Sequence, residues 1–82
     1  MPELEITYPT EWGYRIIGTH EKLIRQLVED LLGERAYTLA PSNESATGRY
    51  VSLHLRVTVD DQAHRDDLFR KLKADEAVKV VL

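Results

Sequence analysis

The chain of 82 residues contains no cysteine. That single absence removes a disulfide framework, a thiolate metal site and a thiol nucleophile, and it suits a reducing compartment, so the expected location is the cytoplasm. Long apolar runs are missing as well. The longest, Val80 to Leu82, falls far short of the roughly 20 residues that cross a bilayer, and the start Met1, Pro2, Glu3, Leu4, Glu5, Ile6 has neither the basic flank nor the apolar stretch of a secretory signal. A soluble protein with no membrane partner is expected. Positive charge is in deficit, with 11 Lys and Arg against 14 Asp and Glu for a net charge of -3. Such a balance gives no overall attraction for phosphate backbones, and nucleic acid is not an expected partner.

Catalytic signatures are absent too. Serine, histidine and aspartate all occur, but no Gly-x-Ser-x-Gly elbow, no glycine-rich phosphate loop and no Gly-x-Gly-x-x-Gly fingerprint is present. The three histidines at positions 20, 54 and 64 have none of the spacings that bring two imidazoles to one metal. The acidic pairs Asp60, Asp61 and Asp66, Asp67 are explained by capping, by the helix dipole and by a solvated helix surface. The expectation is a protein without catalytic residues, metal or cofactor, and not an enzyme.

What is present is enough apolar residue, 43%, for one core, since a chain this short cannot divide its buried surface into two. Residues 1 to 10 alternate weakly and are broken by Pro2 and Pro9, which suggests an extended N-terminal arm ahead of a single domain at 11 to 82. Trp12 to Ile17 is a predicted strand β1, with Trp12, Tyr14 and Ile16 on one face and Arg15 and Ile17 on the other. Gly18 permits a tight exit, and Thr19 is the predicted cap of a helix α1 over His20 to Leu32. The inward stripe of α1 is Leu23, Ile24, Leu27, Val28, Leu31 and Leu32. A short strand β2 at Ala36 to Ala40 ends at Pro41, which favours a sheet edge. After the polar loop Ser42 to Gly48, strand β3 at Tyr50 to Val59 alternates without a break, its odd positions apolar. Asp60 is the predicted cap of helix α2, which ends near Ala74 and whose inward stripe is Leu68, Phe69 and Leu72. Its polar first turns, with Asp61, His64 and Arg65 on that stripe, are expected to overhang the core. Val78 to Leu82 is the predicted final strand, β4.

The order βαββαβ fits a ferredoxin-like α+β sandwich. Its four-stranded sheet has strand order 4-1-3-2 and carries both helices on one face. The other face is left open, and the alternation of β3 agrees, because a strand buried on both sides would be apolar throughout. By strand parity the open face displays Arg15, Tyr50, His54, Arg56 and Lys79 and no acidic residue. A cationic platform on an acidic protein is suited to an acidic partner or a second subunit. Tyr50 alone is too few aromatics for base stacking on such a sheet.

Pro9, Thr10, Trp12, Tyr14 and Gly18 around β1, Ser45, Gly48, Tyr50 and Ser52 entering β3, and Val78, Val81 and Leu82 at the end together resemble the YbeD-like family of small uncharacterised bacterial proteins. The resemblance spans Pro9 to Leu82. It implies a ferredoxin-like fold related in shape to the regulatory ACT domain, and no reaction. Thr47 departs from the family pattern, which commonly has a basic residue there. Two functions follow as expectations. One is a non-enzymatic binding or regulatory module that meets a protein partner, or a second copy, through the open face or an edge strand. The other is an ACT-like sensor in which an amino-acid or other small carboxylate binds backbone N–H groups near Gly18, Thr19 and His20 at the start of α1.

Overall fold

The computed structural model describes residues 7–42 and 50–82, in the order β1 (Thr10–Gly18), α1 (Glu21–Leu32), β2 (Tyr37–Pro41), β3 (Val51–Val59), α2 (Gln62–Ala74) and β4 (Val78–Val81). Strands β1 and β3 form the middle of the sheet because both alternate over their full length, and they pair antiparallel from Thr10 opposite Val59 to Gly18 opposite Val51. Strand β2 adds to β3 and β4 to β1, both antiparallel, so the sheet runs β2-β3-β1-β4. This is the expected 4-1-3-2 order, in an α+β ferredoxin-like fold. Strand β1 begins at Thr10, a residue assigned above to the arm. The part of that arm at 1–6 and the polar loop at 43–48 lie outside the described residues.

One face of the sheet supplies Tyr14, Ile16, Leu53, Leu55, Val57 and Val59, and the helices supply Ile24, Val28, Leu32, Leu68 and Leu72, all in one buried cluster. Both helices therefore cover the same face. In α1 the stripe is narrower than expected: Leu27 and Leu31 are partly buried, and Leu23 is 54% exposed. Phe69 of α2 is likewise exposed. Leu23 lies one position before the buried Ile24 and Phe69 one position after the buried Leu68, and the 100° step of the helix turns each off the contact line.

The caps differ from expectation by one residue each. At α1 the capping position is His20, whose side chain makes no capping bond, while the Thr19 hydroxyl lies 2.9 Å from His20 Nδ1. At α2 the cap is Asp61, which accepts the His64 N–H at 2.7 Å, and His64 Nδ1 in turn accepts the Asp60 N–H at 3.0 Å. This reciprocal pair satisfies two donors at once, in the manner of a capping box. Asp60, freed from capping, is paired with Arg35 at 3.1 Å, and that guanidinium holds its carboxyl below the usual range.

The first turns of α2 do not overhang the core. The Tyr14 hydroxyl donates 2.7 Å to the Arg65 carbonyl oxygen, the Arg65 guanidinium lies 4.6 Å from the Trp12 ring centroid, and its Nη1 donates to the Tyr8 hydroxyl at 3.2 Å. Arg65 thus docks the helix start on three aromatics of β1 and the segment before it, by a cation–π contact and hydrogen bonds, where the sequence pattern led to the expectation of no packing at all. Burial pushes the Tyr14 hydroxyl up to about 12, against a smaller lowering by Arg65.

Tyr14→Phe is expected to cost about 1 kcal/mol, because it leaves the Arg65 carbonyl without that donor. Since the folded pKa is raised, the stabilisation is complete below the unfolded value of 10 and is lost as pH rises through about 12. Urea titrations of both proteins between neutral and alkaline pH would check it. A wild-type advantage that does not shrink in alkali would show that Tyr14 does not carry this linkage.

Candidate partner-binding face

The open face is built by the alternate residues of β1 and β3 that the core does not use. Arg15 stands opposite His54, Gly13 opposite Arg56, Glu11 opposite Thr58 and Ile17 opposite Ser52. Thr38 and Ala40 extend these rows onto β2. On the other side, Val80 pairs with Ile17, and Leu82 exchanges backbone hydrogen bonds with Arg15 at 2.9 and 3.1 Å.

Local chemistry along the rows is uneven. His54 is half-buried, and its ring lies over Gly13, where a Cβ would stand 2.8 Å from Nε2. The missing side chain is what leaves room for the Nε2 tip of the imidazole against β1. Arg56 donates to Glu11 at 2.9 Å, and both are exposed. They line a shallow cleft of about 220 Å³ with Thr38 and Thr58. An exposed pair of this kind contributes roughly 0 to 1 kcal/mol. At the opposite end Ser52 is buried, and among the described residues its hydroxyl has no hydrogen-bond partner.

Two expectations about this face are corrected. It does carry an acidic residue, Glu11, because β1 starts earlier than expected and its parity continues back to that position. Lys79 does not take a place in the alternation. A register shift sets Val78 opposite Gly18 and Val80 opposite Ile17, so Lys79 is the extra residue of a bulge and Val80 faces outward in its stead. Gly18 permits this, for a Cβ there would lie 2.2 Å from the Ala77 carbonyl oxygen.

Sequence reasoning also missed an apolar strip, Ile17, Val80 and Leu82, the last two 43% and 65% exposed. Tyr50, exposed and just before β3, continues its parity. Arg15, Tyr50, His54 and Arg56 thus share the face as expected, with Lys79 at its rim. Glu11 was legible by extending the alternation two residues back. Val80 was not, since nothing in a four-residue strand announces a bulge.

Gly18, Thr19 and His20 sit together where β1 turns into α1. Gly18 is buried, while Thr19 and His20 are exposed and engaged with each other. The cleft beside Arg56 and a groove beside α1 are lined by other residues.

Residues 3–82 match the model of DUF493, a protein family of unknown function. The chain belongs to this family. It is 43% identical over 72 residues to an uncharacterised protein of Campylobacter jejuni, covering 88% of this chain and 83% of that one. It is 31% identical over 77 residues to a UPF0250 protein of Shewanella putrefaciens, covering 92% and 88%. A solution structure of HP0495 from Helicobacter pylori superposes with a TM-score of 0.81 at 26% identity, over 100% of this chain and 94% of that one. The YbeD-like resemblance of the sequence is thereby borne out. Among the described residues no helix is long and apolar enough to cross a membrane.

Ser52→Ala is expected to leave folding stability unchanged or to raise it by up to about 1 kcal/mol, because it removes a buried hydroxyl that has lost water and gained no partner. Thermal or urea unfolding would decide this, and a clear loss of stability would assign the hydroxyl a bond.

Proposed function

We propose that this DUF493 protein is a non-enzymatic binding module of the cytoplasm that meets a protein partner through the open face of its sheet. The observation that carries this reading is the apolar strip of half-buried Ile17 with exposed Val80 and Leu82 beside Arg15 and His54, on a sheet whose other face is fully used by the core. Apolar anchors flanked by charge are the composition of a contact surface, whereas a merely solvated sheet face has no need of them.

The charge of the face selects the partner. Among the described residues Arg15 and Arg56, with Lys79 at the rim, outnumber Glu11, so two such faces placed together would repel, and an acidic surface with an apolar centre fits better. The edge at β2 is a poor alternative. Pro41 has no N–H to offer, and the Leu39 carbonyl already accepts from Arg25 at 3.5 Å.

The test is affinity capture from cell extract, followed by titration of the purified partner against wild type, Val80→Asp and Arg56→Glu. Val80→Asp is expected to weaken binding about tenfold or more, since it places a charge among desolvated apolar contacts. Arg56→Glu is expected to slow association most at low salt. Both positions are exposed, so unfolding midpoints should stay close to wild type. A partner held equally well by both folded variants would overturn the reading. Self-association abolished by Val80→Asp would give the face to a second copy.

A further inference from the structure

On the helical side of the molecule, away from the open face, α1 and the turn from α2 into β4 enclose a groove of about 260 Å³. Its α1 wall is Leu23, Gln26, Leu27 and Asp30, four positions that helix geometry places on one face, and its other wall is Asp75, Glu76 and Ala77. The floor is apolar. Leu23 is 54% exposed although it belongs to the most regular helix, and Leu27 and Ala77 are only partly buried. The rim is acidic, with Asp30, Asp75 and Glu76 and no lysine or arginine among the lining residues.

We propose that this groove docks a basic polypeptide segment, an apolar side chain inserting between Leu23, Leu27 and Ala77 and flanking lysines or arginines meeting Asp30, Asp75 and Glu76. The arrangement of the carboxylates favours this occupant over others. Among the described residues no three acidic or histidine side chains converge to hold a metal ion, so the negative charge is spread round a rim, as suits cations spaced along a chain. Anionic ligands and nucleic acid would meet only repulsion there. The volume lies under the roughly 300 to 1,000 Å³ of small-molecule sites and suits one or two anchoring side chains. A second copy offers its most basic apolar stretch at Phe69 to Lys73, but there Arg70 and Lys71 are already paired with Asp67.

The experiment is NMR titration of the full chain with a synthetic peptide carrying one leucine flanked by arginines, beside two controls in which glutamates replace the arginines or glycine replaces the leucine. The expected result is amide shifts centred on Leu23, Leu27, Glu76 and Ala77 with the first peptide, affinity that falls steeply with salt, and little response to either control. Leu23→Ser and Glu76→Lys alter exposed residues, and each should weaken binding about tenfold while circular dichroism shows the fold retained. Shifts confined to the open face, equal binding of the glutamate peptide, or full affinity in both folded variants would overturn the proposal. So would concentration-dependent self-association that Leu23→Ser abolishes, which would assign the groove to a second copy.

Discussion

The pairing of β1 with β3 is the constraint from which the rest of this structure follows. Two nine-residue strands lie antiparallel in unbroken register, and they place Trp12, Tyr14 and Ile16 of one and Leu53, Leu55, Val57 and Val59 of the other at alternate positions on the same face. With side-chain period 2, a slip of one residue would expose Tyr14, Ile16, Leu53, Leu55 and Val57 together, so the register is strongly specified. Once it is set, both helices must lie on that face. No described helix covers the other face, and everything proposed for partner contact there depends on it.

The helices are held in different ways. α1 is fastened by Ile24, Val28 and Leu32 on the core, whereas the N-terminal half of α2 is fastened by Arg65 on Trp12, Tyr8 and Tyr14. A cation over an aromatic ring keeps part of its strength when partly hydrated, and the Arg65 carbonyl accepts the Tyr14 phenol from inside the core. This is how a helix start with almost no apolar residue is seated against a sheet. Burial of this donor also pushes the Tyr14 phenol up to about 12.

Charge is divided between the two sides of the molecule. The sheet face carries the arginines of the central strands and an apolar strip toward β4, while the groove beside α1 carries carboxylates round an apolar floor. A small domain with a net charge of -3 thereby offers two surfaces of opposite preference.

The sequence by itself determined the element order, the strand order and the face assignment of the central strands. Tyr14, Ile16, Leu53, Leu55 and Val57 repeat with the period of the strand, and Ile24, Val28 and Leu32 with that of the helix, over segments long enough for period to decide. Tertiary structure alone decided what happens at the ends of elements. The caps moved from Thr19 to His20 and from Asp60 to Asp61, the last extended residues before each helix, because the path from strand to helix sets that position and neighbouring residues were equally able to fill the role. Lys79 lost its place on the open face to Val80 because Gly18 admits the Ala77 carbonyl and a bulge shifts the parity of β4. Arg65 reached Trp12, Tyr14 and Tyr8 across more than fifty residues of chain, a contact with no local signal in the sequence, since a polar residue on an inward stripe is explained only by what the fold brings opposite it.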